Sequence, residues 1–380
     1  MIALFGKERG MKLRAEREKL LKVLSKVQSI ADRKSSMAIL STVLFEAKEG
    51  GVEVSATDLE IGFKSFLEAE VEEEGALAIP ARKFYEIIKD FPAETVELIE
   101  DNSWLKISGA AEEVLFRLAC LPAEDFPALP EIEETTLVEI PGGVLAEMIA
   151  KTIFCVATEE SRFILAGIYM EQPENESVLR FVATDGHRLA MIDREVKNVE
   201  GLELSPGVIV PRKACQEMRK LAQDQVLVQF GVKENHAILA APNMMLTARL
   251  IDGRYPDYRA VIPQQKERLI VVPRKRFIEA LKRVSVISLE RFRPVTLEVS
   301  EEGITIVSQH PDLGEGREKV PATYQGEPFS LNFNAKYLVD CLEVMDSEEA
   351  ELSMKDENTP CIITGPTDKG FLGLVMPMSS

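Results

Sequence analysis

The chain has little of what marks several large classes of protein. Its 380 residues include three histidines, one tryptophan and five cysteines. The cysteines, at positions 120, 155, 215, 341 and 361, are scattered without a C-x-x-C pair, which favours reduced thiols over disulfides or a zinc site. No apolar run approaches the roughly 18 residues of a membrane helix, and Met1–Gly10 is too short and too charged for a secretory signal. We therefore expect a cytoplasmic protein.

Catalytic signatures are also scarce. The sequence contains no P-loop, H-E-x-x-H, G-x-S-x-G or G-x-G-x-x-G pattern, and His236 and His310 lack neighbours at metal-ligand spacing. Thr184–Arg188 is a dense polar group whose Asp185 and His187 would suit a hydrolase. An Asp-Gly pair after a strand is equally typical of a hairpin turn. We favour a protein without catalytic residues, metal or cofactor, and keep a hydrolase using Asp185 and His187 as the alternative.

A short phrase recurs six times along the chain. An apolar residue, usually followed by proline, precedes a run with apolar positions at helical spacing, as in Ile79–Phe84 and Val272–Phe277. The lead residues, separated by 64, 61, 70, 62 and 61 positions, are Ala15, Ile79, Ile140, Val210, Val272 and Phe333. Proline is expected in the first helical turn, where its missing N–H costs nothing. The near-constant spacing predicts six copies of one structural unit, each containing a helix.

Between these helices the sequence alternates in the manner of strands. Val226–Phe230 is one example, and Thr296–Val299 with Gly303–Val307 is another, with Ser300–Glu302 as its hairpin turn. Each repeat is therefore one helix with about three or four antiparallel strands. Two repeats per compact body predict an α+β fold of three similar domains. The expected bounds are 11–135, 136–263 and 264–380, preceded by a disordered extension at 1–10.

Charge is distributed unevenly between the predicted helices and the rest of the chain. The net charge of −18 alone disfavours nucleic acid as a partner, because DNA-binding proteins are usually basic. The helical windows nevertheless hold 22 Lys or Arg against 10 Asp or Glu, while the remainder holds 23 against 53. The windows are 12–34, 80–90, 141–152, 211–223, 273–284 and 334–345. Solvated helix faces would explain one basic helix, but they explain the whole set less well. A repeat scaffold that binds only proteins would not explain the concentration of positive charge in the helices either.

Three stretches carry the most specific pattern in the chain: Ala183–Leu189, Asp252–Tyr258 and Val375–Met378. In this order and at these distances they resemble the beta subunit of bacterial DNA polymerase III, the replicative sliding clamp. The similarity runs from Met11 to Met378. It implies a head-to-tail dimer of three-domain subunits closed into a ring with twelve helices inside, of which this chain would supply six.

The resemblance implies a processivity factor that encircles duplex DNA without sequence specificity and is not an enzyme. Positive helix faces would meet phosphates without reading bases. By resemblance the DNA contacts are Lys34, Arg82, Phe163 and Ile164, and the helix pattern adds Lys213 and Arg274. The implied partners are the DNA polymerase III catalytic subunit, the clamp loader, and other DNA polymerases and repair proteins, which bind through short peptides. No membrane is implied.

An apolar pocket for those peptides is also implied by the resemblance. Its residues would be Arg162, Leu165, Thr184, Gly186, His187, Arg188, Leu189, Pro256, Val261, Asn334, Tyr337, Pro360, Leu374, Met376, Pro377 and Met378. Methionines at the end of the chain suit a surface that adapts to varied partners. The family's pattern is not followed everywhere: Ile164 replaces a frequent aromatic, Ala260 replaces a basic residue of some relatives, and the chain ends in Ser379–Ser380.

The joint between subunits would pair the first domain of one chain with the third domain of the other. Lys83, Ile87, Phe116 and Leu118 match one side of this joint. Val286, Ile287, Asp312, Glu315 and Glu318 match the other. An apolar centre with a charged rim, basic at Lys83 and acidic opposite, is expected of such an interface.

Overall fold

The computed structural model describes residues 10–31, 36–109, 114–130, 136–174, 177–263, 267–288, 293–356 and 358–378. Six α-helices lie in these ranges, as the repeat predicts: α1 (Arg17–Val27), α2 (Ala81–Lys89), α3 (Gly142–Ala150), α4 (Arg212–Gln223), α5 (Arg274–Val284) and α6 (Ala335–Glu343). None of the helices in the described ranges is long and apolar enough to cross a membrane. Lys34 and nearly all of the predicted extension lie outside the described residues.

The described strands number 26 and occupy the segments between these helices. They are β1 (Lys12–Glu16), β2 (Thr42–Lys48), β3 (Gly51–Thr57), β4 (Ile61–Glu68), β5 (Glu70–Glu73), β6 (Gly75–Pro80), β7 (Thr95–Asp101), β8 (Trp104–Gly109), β9 (Leu115–Ala119), β10 (Leu121–Pro122), β11 (Val138–Pro141), β12 (Gly167–Glu171), β13 (Val178–Thr184), β14 (Arg188–Glu195), β15 (Val208–Pro211), β16 (Leu227–Lys233), β17 (His236–Ala241), β18 (Met244–Arg249), β19 (Arg268–Pro273), β20 (Pro294–Ser300), β21 (Gly303–His310), β22 (Gly314–Val320), β23 (Phe329–Asn334), β24 (Glu349–Met354), β25 (Cys361–Thr364) and β26 (Phe371–Val375). The predicted hairpin of β20 and β21 is confirmed, with Ser300 opposite Gly303.

The repeated phrase is a junction at which a strand runs directly into a helix. The strands β1, β6, β11, β15, β19 and β23 each end on the residue before a helix. The expectation of proline inside the first helical turn is wrong by one position, because Pro80, Pro141 and Pro273 stand at the N-cap with ψ between 105° and 127°. A ring-fixed φ suits both the last residue of a strand and the approach to a helix. The expected helical window at 12–34 is likewise wrong at its start, since 12–16 alternates and forms β1.

Two compact units make up the chain, and each combines two stretches of sequence. The first unit contains residues 1–139 and 220–249, and the second contains 140–219 and 250–380. In the first unit, α1 and α2 pack side by side on a sheet ordered β5-β1-β7-β8-β9 and on a second sheet that includes β10-β6-β2-β3-β4-β18-β17-β16. The predicted apolar faces of the helices are buried there, including Leu20, Leu24, Phe84 and Ile88.

The second unit repeats this layering with α5 and α6 packed together. Its larger sheet runs β15-β12-β13-β14-β26-β25-β24-β19, and its smaller sheet runs β22-β21-β20-β23. At the centre of the larger sheet β14 pairs antiparallel with β26, and Leu189 lies opposite Leu374. The fold therefore brings the Ala183–Leu189 stretch beside the C-terminal strand, although about half of the chain separates them in sequence.

Candidate functional site

The hairpin turn between β13 and β14 is held by its own side chains. Gly186 has a φ of +87°, a conformation that glycine adopts without strain. Asp185 Oδ1 accepts hydrogen bonds from the backbone N–H of His187 at 3.0 Å and of Arg188 at 3.1 Å. Its other oxygen, Oδ2, accepts from Arg188 Nε at 3.0 Å. Both oxygens of Asp185 thus shape the turn and hold Arg188, which supports the hairpin interpretation and removes the acid on which the hydrolase alternative depends.

The C-terminal stretch passes directly along this turn. The backbone N–H of Met376 donates to the carbonyl of His187 at 2.9 Å, and that of Met378 donates to Asn332 at 2.8 Å. Beneath the turn, Leu189 and Leu374 belong to a buried cluster with Tyr255 and Tyr258, against which Leu165 and Met376 also pack. The predicted pocket residues of these two stretches therefore come together in the second unit.

Two of the cavities found among the described residues are each lined by several of the predicted pocket residues. The first, of about 620 Å³, is lined by five predicted residues: Arg162, His187, Arg188, Asn334 and Tyr337. The second, of about 490 Å³, is lined by Val261, Pro360 and Met376, together with Ala260 and Lys355. The first cavity is rich in charged side chains, whereas the second is mainly apolar. A bound peptide would therefore meet an apolar recess and a polar recess.

Arg188 is almost entirely buried, although a residue that lines a binding pocket is expected to be exposed. Its side chain is 10% exposed, and its guanidinium lies over the rings of Tyr337 at 4.4 Å and Phe154 at 5.5 Å. Burial alone would lower the pKa of Arg188, but the Cys155 thiol and the carboxylates of Asp340 and Asp185 raise it above its usual value. The residue is therefore a permanent cation inside the wall of the pocket.

Several residues at the site escaped the sequence prediction. Phe154 and Asp340 line the first cavity, and Tyr255 and Tyr258 belong to the buried cluster beneath the turn. The only sequence signal for Asp340 is its position one helical turn after Lys336, a spacing that favours an ion pair on a helix. The pair is present, with Lys336 Nζ 2.7 Å from Asp340 Oδ2. The sequence offers no corresponding signal for the contact of Asp340 with Arg188.

The side chains predicted to contact DNA differ in their exposure to solvent. Arg82 is exposed on α2 and pairs with Glu86 at 2.8 Å, and Lys213 is exposed on α4. Phe163 is 58% exposed, whereas Ile164 packs against the cluster beneath the pocket. The guanidinium of Arg274 donates to the backbone carbonyls of Ser347 and Leu342, so its charge is anchored close to the protein surface.

Four of the predicted joint residues lie on the end strands of two sheets: Phe116 and Leu118 on β9, and Glu315 and Glu318 on β22. In the first unit, β9 ends its sheet, with Leu115 54% and Phe116 41% exposed. In the second unit, β22 ends its sheet, close to Val286, which is 75% exposed. Ile287 is half-buried and lies against Gly316 of β22. The first unit thus offers an apolar edge strand, and the second offers a charged edge strand beside the exposed Val286.

Two charged residues of the predicted joint, Lys83 and Glu318, are already paired within the chain. Lys83 Nζ lies 2.9 Å from Glu86. Glu318 accepts from Arg283 at 2.9 Å and also binds Arg276. The hydrogen bonds from Arg283 and Arg276 hold the pKa of Glu318 at about 2. An interface formed here would therefore depend on its apolar centre more than on new ion pairs at its rim.

Comparison with known proteins gives matches along nearly the whole chain. The N-terminal, central and C-terminal domains of the DNA polymerase III beta subunit match residues 11–130, 139–257 and 259–379. The beta sliding clamp of Caulobacter vibrioides strain NA1000 is 35% identical over 372 residues, covering 97% of this chain and 100% of that protein. The beta sliding clamp of Bacillus subtilis strain 168 is 33% identical, covering 97% and 99%. A crystal structure of the Bartonella birtlesii sliding clamp bound to griselimycin has a TM-score of 0.92 at 33% identity, covering 97% and 100%.

The layered fold and these matches define a three-domain DNA sliding clamp with mixed helices and antiparallel sheets, which is a processivity factor of DNA replication. More particularly, the chain belongs to the DNA polymerase III beta subunit family. The resemblance inferred from the sequence is thereby confirmed. The family is a non-catalytic processivity factor, in keeping with the structural use of Asp185 by its own turn.

Proposed function

We propose that two copies of this clamp join head to tail into a closed ring around duplex DNA in the cytoplasm, without enzymatic activity. Each chain would contribute three domains, at 11–135, 136–263 and 264–380. Support for the joint comes from the two strand edges, β9 and β22, each bordered by exposed apolar side chains. Addition of one edge to the other would continue a sheet across the joint and satisfy its free backbone groups.

The proposed ring holds DNA by enclosure and contacts it only weakly. We propose the DNA contacts Lys34, Arg82, Phe163, Ile164, Lys213 and Arg274, with Arg82 and Lys213 exposed on helices. Lysine and arginine meet phosphates regardless of sequence, so the protein exchanges one set of phosphates for the next as it slides. The acidic remainder of the chain repels DNA from the outer surface.

Enclosure is tested by opening the DNA while the protein is bound. The clamp is loaded onto nicked circular plasmid by its clamp loader, and the plasmid is then cut once. We expect most of the bound protein to leave, because nonspecific phosphate contacts alone give Kd values of only about 10⁻⁴–10⁻⁶ M at physiological salt. Linear DNA blocked at both ends by streptavidin should retain it. Equal retention on linear DNA with free ends would refute the ring.

The peptide pocket is the second part of the proposal. We propose that the sixteen pocket residues named from the sequence receive short, partly apolar peptides of the polymerase III catalytic subunit, the clamp loader and repair proteins. The observation that carries this is the convergence of the β13–β14 turn and the C-terminal stretch: His187 lines the polar cavity, and Met376, whose backbone N–H donates to the His187 carbonyl, lines the apolar one. An apolar recess beside a polar one is the usual form of a site that recognises a short ligand.

A charge placed in the apolar recess should weaken peptide binding. Val261 is 50% exposed and lines the 490 Å³ cavity, so Val261→Asp would oppose an entering apolar side chain without disturbing the core. We expect about 10- to 100-fold weaker binding, since burying one apolar side chain contributes about 1.5–3 kcal/mol. Fluorescence anisotropy with a labelled clamp-binding peptide of the polymerase measures it.

The matched control for this substitution is Val226→Asp. Val226 is 88% exposed and directly precedes β16 in the first unit. Its variant should bind the peptide as the unmodified protein does, and both variants should stay on circular DNA. Unchanged affinity in Val261→Asp would show that this recess is not the binding site.

A further inference from the structure

Tyr337 stands between two side chains of the β13–β14 turn. The His187 ring lies 6.4 Å from its ring centre with an interplanar angle of 22°. On the same tyrosine, the Arg188 guanidinium lies 4.4 Å from the ring centre. Cation–π contacts of this kind stabilise by more when the cation is desolvated, as Arg188 is. The ring of Tyr337, on α6, is thus fixed to a turn about 150 residues earlier in the chain.

Arg188 can hold the tyrosine because all three of its guanidinium nitrogens have partners. Nε donates to Asp185 Oδ2 at 3.0 Å, Nη2 donates to the carbonyl of Phe154 at 2.6 Å, and Nη1 donates to Asp340 Oδ2 at 2.6 Å. Asp185 and Phe154 both precede Arg188 in the sequence, by 3 and 34 positions. Asp340 is the partner supplied by α6, the helix that carries Tyr337.

Asp340 is itself well placed to hold its charge near Arg188. It lies one turn after Lys336, whose Nζ is 2.7 Å from Oδ2 and 2.9 Å from Oδ1. Its side chain is 16% exposed, whereas that of Lys336 is 58% exposed. Asp340 therefore connects a buried cation to a surface cation, and its carboxylate is a direct contact between α6 and the turn.

We propose that Asp340 is a positioning residue of the peptide pocket: by fixing Arg188 against Tyr337, it assembles the wall formed by His187, Arg188 and Tyr337. This inference rests on the proposed peptide pocket and deepens it. Asp340 need not touch the peptide. Its effect on the peptide passes through the ring of Tyr337, whose position it determines. Preorganisation of this kind removes an ordering cost from binding.

Substitution of Asp340 tests this role. Asp340→Asn keeps the shape of the side chain but removes the charge that faces Arg188, and we expect about 10-fold weaker binding of the labelled polymerase peptide. Asp340→Glu restores the charge and should recover part of the affinity. Glu302→Gln is the matched control, because Glu302 pairs with the exposed Lys319 in the same unit and lines neither cavity. It should bind the peptide within about twofold of the unmodified protein.

A double-substitution cycle separates positioning from a general loss of stability. Because Asp340 acts through Tyr337, adding Asp340→Asn to Tyr337→Ala should weaken binding no further than Tyr337→Ala does alone. Additive losses, or equal losses in Asp340→Asn and Glu302→Gln, would overturn the positioning role. So would full affinity in Asp340→Asn. Retention on circular DNA should be unaffected in every variant, so failure of the ring would appear separately, as loss of retention by the unmodified protein. If the unmodified protein failed to bind the peptide, the pocket and this role would fall together.

Discussion

Phe116→Lys and Ile287→Lys are each expected to convert the dimer to a monomer. In solution the unmodified protein should have about twice the chain mass of 42.3 kDa, and each variant should have the mass of one chain. Phe116 is 41% exposed on β9, and its ring packs 6.4 Å from Phe91, so it offers an apolar surface already fixed in place. Ile287 belongs to the opposite edge, beside Gly316 of β22.

The expected effect is large because a two-subunit ring has two identical joints. Each substitution removes one apolar side chain from both joints, at about 1.5–3 kcal/mol per joint, and leaves a lysine to be desolvated in both. The dissociation constant should therefore rise by at least about 1,000-fold. Sedimentation velocity across a dilution series measures this change.

The same substitution elsewhere provides the control. Val226→Lys changes a valine that is 88% exposed and outside the proposed joint, so this variant should remain a dimer. If Phe116→Lys and Ile287→Lys also remained dimers, the proposed joint would be wrong. The dimer should further be little affected by salt, because Lys83 and Glu318 already have partners within their own chain. Dissociation by moderate salt would show that new ion pairs between subunits hold the ring.

Patterns in the sequence were enough to find the helices, the β20–β21 hairpin and the hairpin turn at Asp185. These features depend on residues a few positions apart, and local patterns report them well. Pro80, Pro141 and Pro273, predicted in the first helical turn, stand one residue earlier, at the N-cap. The φ that the proline ring fixes is compatible with both positions, so the sequence does not distinguish them. The resemblance to clamps then predicted that the β13–β14 turn and the C-terminal stretch belong to one pocket.

What the sequence could not reveal was the use made of individual charges. Arg274 lies where a helix pattern predicts a free basic face, yet its guanidinium donates to two backbone carbonyls. Arg188 was expected to line a pocket but is buried in its wall, held by Asp340 from 152 positions away. A helical pattern specifies which face a residue occupies, whereas rotamer and partner depend on contacts between distant segments.

Lys151→Met is expected to destabilise the second unit strongly. Lys151 follows α3 directly, and its side chain is 4% exposed. Its Nζ lies 2.8 Å from both Asp346 Oδ2 and Asp368 Oδ1, and 3.2 Å from Glu147. Methionine would keep the apolar stem and remove the charge, leaving the fully buried carboxylate of Asp368 without its cation. Breaking one side of a buried pair typically costs about 3–5 kcal/mol, which lowers Tm by about 10 °C in a unit of this size.

The dependence on pH identifies Asp368 as the responsible partner. Burial alone would raise its pKa, but Lys151, the Ser347 hydroxyl and two backbone N–H groups hold the pKa of Asp368 at about 2. A carboxyl group whose pKa is lower in the folded state than in the unfolded state stabilises the fold at pH values above its ordinary pKa. This stabilisation is lost as the pH falls toward the pKa of the folded state. The unmodified protein should therefore lose stability between about pH 4 and pH 2. In Lys151→Met the pKa of Asp368 rises, so this acid-dependent loss should shrink.

Two further variants separate the loss of charge from the loss of packing. Lys282→Met breaks a surface pair with Glu343, in which the side chains are 56% and 47% exposed, and should change stability by less than about 1 kcal/mol. Adding Asp368→Asn to Lys151→Met should restore part of the lost Tm, since the uncompensated charge is gone while an amide oxygen still accepts from the N–H of Ser347. If Asp368→Asn instead lowered Tm further, the cluster of Lys151, Asp346 and Asp368 would stabilise the unit through packing and hydrogen bonds. The ionic explanation of its stability would then be wrong.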